Sequence, residues 1–233
     1  MINILIMVVS CKKNRKLWDD ILKRGIKNTV IVCGDDLNTD YYLDEKVLYV
    51  NCRDSYDGLP EKIVCALTAI NTIKQYDNIT HILKVDDHDT IFSKANLARL
   101  EKYGSTFLSS NSFICQHIYK RCAGSHHINK CPGSKWNKRL YEGEKCAYAA
   151  GGFSYILDRH AVQKIVAEFN VNTLEKIREM HIYEDLMISL ILKKHDIYPV
   201  KRYYGIESTD PIYRNLIPMN IRQSFLNLPI TII

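Results

Sequence analysis

Long apolar runs are missing from this 233-residue chain, and acidic residues are missing from one extended stretch of it. The longest early apolar run, Ile2 to Val9 broken by Asn3, falls far short of the roughly 20 residues that a membrane-spanning helix needs. It carries neither a basic leader nor a small-residue cleavage site, so it does not read as a signal peptide. The expectation is a soluble, cytoplasmic protein that begins at its own first strand, in host cytoplasm or a virion if the source is viral. Ten glycines and six prolines are too few for a collagen-like or low-complexity chain. Eight cysteines are too sparse for a small disulfide scaffold, and without a secretion signal they are expected as thiols; Cys33 and Cys65 sit in apolar runs and read as buried. What is present, 46% hydrophobic and 25% charged residues, is ordinary globular usage and excludes a disordered tail or a coiled coil.

The net charge of +6 is unevenly spread. From Lys102 to Tyr141 there are seven Lys or Arg residues and no Asp or Glu, which leaves the rest of the chain at −1. So localised a basic character argues against a general nucleic-acid surface. It reads either as a solvated loop face or as an attractor for a phosphate-bearing or otherwise anionic ligand. The same region holds Cys115, His117, Cys122, His126, His127, Cys131 and Cys146, enough donors for zinc but without the paired C-x2-C spacing of common structural sites.

Strand and helix signals alternate. Ile2 to Val9 reads as a strand buried on both faces, and Asn14 to Arg24 as a helix stopped by Gly25. Thr29 to Cys33 and Lys46 to Val50 are further strands, and Pro60 opens a helix reaching about Tyr76. His81 to Val85 is a strand that runs into Asp86-Asp87-His88-Asp89, and Ser93 then caps a helix ending near Tyr103. Later come strand signals within Phe107 to Tyr119, Tyr148 to Leu157 and Ile197 to Arg202, with helices from Asp158 to Phe169 and from Tyr183 to Lys194. This alternation predicts an α/β fold with a single, mostly parallel twisted sheet flanked by helices. Ligands of such sheets bind beyond the carboxyl ends of the strands.

Four segments then carry candidate chemistry. Packed carboxylates at the end of a buried strand repel one another unless a cation compensates them, so Asp86, Asp87, His88 and Asp89 suit a divalent ion as well as an acidic turn. Gly151-Gly152 suits either a strand bend or the close approach of backbone to a ligand. Glu184-Asp185 complements a helix dipole, yet could also aim a carboxylate at a hydroxyl proton. Asp54 to Lys62 joins a strand end to the long helix, where Lys62 is either solvated or within reach of a phosphate.

Taken in order, these segments resemble the family 31 glycosyltransferases, the β-1,3-galactosyl, N-acetylglucosaminyl and fringe-like enzymes. Ile4 to Ser10 with Asn14-Arg15 is similar to that family's first strand and loop, and Asp54 to Lys62 to its D-S-Y-x-N-L-T-x-K-T segment. Lys84 to His88 resembles its K-x-D-D-D metal motif, Lys135-Trp136 its K-W pair, Tyr148 to Leu157 its F-A-x-G-G-A-G-x-x-I segment, and Glu184-Asp185 its E-D or D-D pair. The resemblance implies a GT-A nucleotide-sugar transferase fold in one domain over residues 1–233, with a nucleotide-sugar-binding half (1–105) and an acceptor-side half (106–233). It implies inverting transfer from a UDP-sugar to a glycan or glycoconjugate with Mn2+ or Mg2+, and no nucleic-acid partner. By position, Ser10, Asp54, Lys62 and Asp86 would serve the donor, and Asp87, Asp89 and His88 the metal. Trp136, Gly151, Gly152 and Glu184 would serve the acceptor, and Asp185 would be the base.

The chain departs from the family pattern where the motif's third aspartate falls on His88, and where no histidine follows His195. Two other classes share parts of the pattern. A nucleotidyltransferase would release pyrophosphate, though no Gly-rich basic first loop is present. A binder without turnover would hold a nucleotide-sugar and transfer nothing.

Overall fold

Ile4 to Val9 forms β1 with all six residues buried, which places it inside a sheet rather than at an edge. It pairs in parallel with β2 (Thr29–Asp35) and with β5 (His81–Asp86), and β2 pairs in parallel with β4 (Val47–Asn51). Antiparallel strands flank this parallel centre: β3 (Tyr41–Asp44) on β4, and β10 (Tyr155–Asp158) on β5. Beyond β10 lie β7 (Phe113–Cys115), antiparallel to it, and then β11 (Val200–Lys201), parallel to β7. The structure, a computed structural model, describes residues 2–88, 90–91, 93–208 and 217–229. Among these the main sheet runs β11-β7-β10-β5-β1-β2-β4-β3. Two small antiparallel pairs stand outside it, β6 (Thr90–Ile91) with β12 (Glu207–Ser208), and β8 (Ile118–Tyr119) with β9 (Tyr148–Ala149).

Alternation along the strands builds two cores. Leu5, Met7, Val30, Val32, Leu48 and Val50 face helices α2 (Leu59–Thr72), α5 (Arg159–Glu168), α6 (Leu174–Met180) and α7 (Glu184–Lys193). Ile4, Ile6, Val8, Ile31 and Val85 face α1 (Trp18–Lys23), α3 (Lys94–Tyr103) and α4 (Ser105–Leu108) on the other side. Helix α8 (Met219–Leu226) follows near the end of the chain. Among the described residues no helix is long and apolar enough to cross a membrane.

Two expected elements differ. The helix read over Asn14 to Arg24 is a tight 3-10 turn, Lys12–Leu17, before α1 begins at Trp18. The turn carries Lys12, Lys13, Arg15 and Lys16, which oppose the positive end of a helix dipole, whereas Asp19 and Asp20 complement it one turn later. The strand read over Tyr148 to Leu157 is two strands in two sheets. A turn at Gly151–Phe153 and Ser154 at φ +108° swing the chain from β9 into β10.

Candidate active site

The carboxyl ends of β1, β2 and β4 are tied together by one side chain. Asp54 accepts hydrogen bonds from the Lys12 amide at 2.7 Å, the Gly34 amide at 3.1 Å and the Lys62 ammonium at 2.6 Å. Lys62 is buried and also donates to the Ser10 carbonyl at 2.7 Å. Both residues therefore act within a clamp that fixes three loops. Ser10 is buried beside it, its hydroxyl donating to Asp87 at 2.6 Å and accepting from the Trp18 indole at 2.7 Å.

Lys84 lies inside β5 between Leu83 and Val85 and is fully buried. A buried ammonium persists only when paired. Its Nζ is 2.7 Å from Asp86, 2.9 Å from Glu184, and donates to the Gly151 carbonyl at 3.0 Å. Burial works against its charge, but the carboxylates of Asp86 and Glu184 hold it above the ordinary lysine value. Tyr155, facing Lys84 across the β5–β10 ladder, donates its hydroxyl to the second oxygen of Glu184 at 3.0 Å.

Asp185 stands next to this network at the start of α7. Its carboxylate accepts from the Gly151 amide at 3.0 Å and from the Leu186 amide at 2.8 Å. Burial first, and the neighbouring Glu184 charge second, push its pKa up to about 7 against the pull of those two amides and Lys84. A carboxylate poised there can take a proton near neutral pH. Gly151 is required by close approach, since a Cβ on it would stand 2.6 Å from Glu184 Oε1 and 2.9 Å from Asp185 Cβ.

These groups floor a cleft of about 380 Å³, together with Gly152. Tyr56, Tyr119, Tyr148 and Tyr183 wall it, and Arg121, His126 and Lys130 line it from the segment that follows β8. The Tyr119 and Tyr148 rings lie 5.3 Å apart across the β8–β9 pair. Burial, and then the Asp185 charge, raise the Tyr56 and Tyr148 hydroxyls above the usual range. They remain protonated, as hydrogen-bond donors on flat apolar rings that suit a sugar.

Of the residues expected from sequence, Asp86, Gly152, Glu184 and Asp185 line this cleft, and Gly151 sits beneath it. Asp87 does not line it. Its oxygens bond Ser10, the Asn14 amide group at 2.9 Å and His88 Nδ1 at 2.6 Å. Asp89 lies outside the described residues. Trp136 is buried behind the wall, donating to the Arg178 carbonyl at 3.2 Å and packing with Cys122, Cys131, Tyr141 and Tyr183. His127 is spent on packing too, bonded to the Tyr183 hydroxyl at 2.6 Å and the Arg139 carbonyl at 2.8 Å. His195 follows the far end of α7, about 15 Å along the axis from Asp185 at 1.5 Å per residue.

Sequence reasoning assigned no role to Lys84, Tyr155 or the cleft tyrosines. A lysine in the middle of an otherwise apolar strand was the available signal for the first. Among the described residues, no three His, Cys, Asp or Glu side chains gather as a closed metal site would require. The donors at the end of β5, Asp86 and the exposed imidazole of His88, are nonetheless of the hard oxygen and nitrogen kind that suits Mn2+ or Mg2+.

A mostly parallel sheet flanked by helices, with carboxylates meeting a tyrosine-walled cleft at its strand ends, agrees with the GT-A-like plan of nucleotide-sugar transferases. Residues 35–202 match the galactosyltransferase family model, and the chain belongs to that family, which makes it a glycosyltransferase. No curated relative matches it. Among solved structures it is similar to the 4-diphosphocytidyl-2C-methyl-D-erythritol synthase of Anaerococcus prevotii DSM 20548, at 12% identity over 96% of each chain with a TM-score of 0.41.

Proposed function

We propose that this glycosyltransferase moves a sugar from a UDP-sugar to a hydroxyl of a glycan or glycoconjugate, with inversion at the anomeric carbon. The observation that carries the reading is Asp185, a carboxylate with a pKa near 7 in the cleft of a galactosyltransferase-family chain. Asp185 takes the acceptor hydroxyl proton as that oxygen bonds to the anomeric carbon. The bond from the anomeric carbon to the diphosphate breaks, and its electron pair leaves with UDP. Glu184, paired with Lys84 and bonded by Tyr155, fixes the first turn of α7, from which Asp185 projects. A bound Mn2+ or Mg2+ would neutralise the charge growing on the diphosphate. Asp86 and His88 would hold it, and Asp87 would orient the His88 ring.

Calorimetry with UDP, GDP and CMP, each with and without Mn2+, tests the donor. Mn2+-dependent binding of UDP alone is expected, and silence across the panel overturns the donor reading. Asp185→Asn should keep that binding and lose transfer to an oligosaccharide panel, whereas retained transfer removes Asp185 as the base.

A further inference from the structure

The cleft is lined by groups of both charges. Its floor carries three carboxylates, Asp86, Glu184 and Asp185, and the one floor ammonium, Lys84, is engaged by two of them. Arg121, His126 and Lys130 line the same cleft from the segment that follows β8. These three belong to the stretch from Lys102 to Tyr141, which holds seven cations and no carboxylate in a chain otherwise at −1. The stretch itself therefore supplies no carboxylate to the cleft.

The wall is also partly ordered. Lys130 Nζ lies 2.7 Å from His126 Nε2 and 5.6 Å from the centre of the Tyr56 ring. Burial and the Lys130 charge keep His126 below the ordinary histidine value, so its neutral imidazole accepts from the ammonium. An imidazole and an aromatic face thus hold a surface lysine against the cleft wall. Arg121 adds a guanidinium, the group whose fork matches a carboxylate or phosphate.

We propose that the acceptor carries an oxyanion, a carboxylate or a phosphate or sulfate ester, beside the hydroxyl that reacts, and that Arg121, His126 and Lys130 bind it. The inference rests on the glycosyl-transfer reading above. A diphosphate offers the same chemistry, but Arg121 and Lys130 line the cleft together with Asp185 and Tyr183, whereas Asp54, Lys62 and Ser10 do not line it. A hydroxyl within reach of Asp185 brings its own substituents to this wall, whereas the leaving diphosphate departs on the opposite side of the anomeric carbon.

The test is binding, measured without turnover. Calorimetry compares an oligosaccharide ending in glucuronate with the matched one ending in glucose, and a sugar phosphate with the free sugar, on the wild type and on Arg121→Gln/Lys130→Gln. Titration with UDP and Mn2+ runs in parallel. The expected result is about tenfold tighter binding of the acidic ligand, weakened by salt and lost in the double variant, with UDP affinity retained. Equal binding of acidic and neutral ligands overturns the proposal. Weakened UDP binding in the variant, with the acidic preference intact, also overturns it and assigns the cations to the donor diphosphate. Absence of UDP binding in the wild type, with the acidic preference present, overturns the transfer reading and leaves the oxyanion site standing.

Discussion

Lys84 and Glu184 meet 2.9 Å apart beneath the cleft, with side chains only 1% and 3% exposed. One comes from the central sheet and the other from the first turn of α7, so the pair sets the distance between the end of β5 and the carboxylate next in sequence, Asp185. Removing one partner of such a pair leaves a charge buried without compensation, which costs about 3–5 kcal/mol. Lys84→Met should lose that much in urea unfolding, and Lys84→Met/Glu184→Gln should recover part of it. Unchanged stability of Lys84→Met would show that the pair does not hold α7 to the sheet.

The pH dependence follows from Asp185. Its pKa rises from 3.8 to about 7 on folding, so the folded state holds this proton more tightly than the unfolded chain does. The stability it contributes is complete below about pH 4 and is lost as pH climbs through about 7. With Asp185 as the proposed base, transfer is expected to move the other way and to switch on as Asp185 deprotonates. Asp185→Asn should therefore be more stable than the wild type at pH 8, and this difference should shrink by pH 5. Urea midpoints at the two pH values check this, and a constant difference would mean that Asp185 titrates at its ordinary value.

Gly151 carries a steric prediction. The methyl group of Gly151→Ala would press on Glu184 and Asp185 at 2.6 and 2.9 Å, and the rigid start of α7 would have to give way. Overpacking of this kind costs about 1–3 kcal/mol. Displacing a catalytic group by about 1 Å costs on the order of 100-fold in rate. Steady-state transfer with Gly151→Ala should fall by about that factor while UDP binding is retained; an unimpaired variant would mean that Asp185 does not need this contact.

Much of this arrangement was legible in the sequence, because burial on both faces leaves an apolar run that only a central strand explains. Ile4–Val9 and His81–Asp86 show it directly, and Ser93 accepts the helix amide expected of a cap, as Asp158 does at the start of α5. Asp185 and Gly151 were legible as a helix start and a glycine pair, though not as partners, since 34 residues separate them and the packing of α7 against β9 brings them together. Strand β3 was not legible. It is an edge strand with alternate residues exposed, and its acidic flanks resemble a loop. The wall from 120 to 147 was hardest to read, because its residues pack as a cluster of aromatic rings and thiols with no strand or helix period.

That wall and the floor of the cleft are held by different anchors. The floor is locked by Lys84, which ties Asp86 at the end of β5 to Glu184 at the start of α7. The wall hangs on α6 and the approach to α7, through the Trp136 bond to Arg178 and the His127 bond to Tyr183. A chain built this way can exchange its recognition surface piecemeal in evolution. Replacing the residues that project from the wall would change the lining of the cleft there, while the Lys84–Glu184 pair and the strand ends keep their positions.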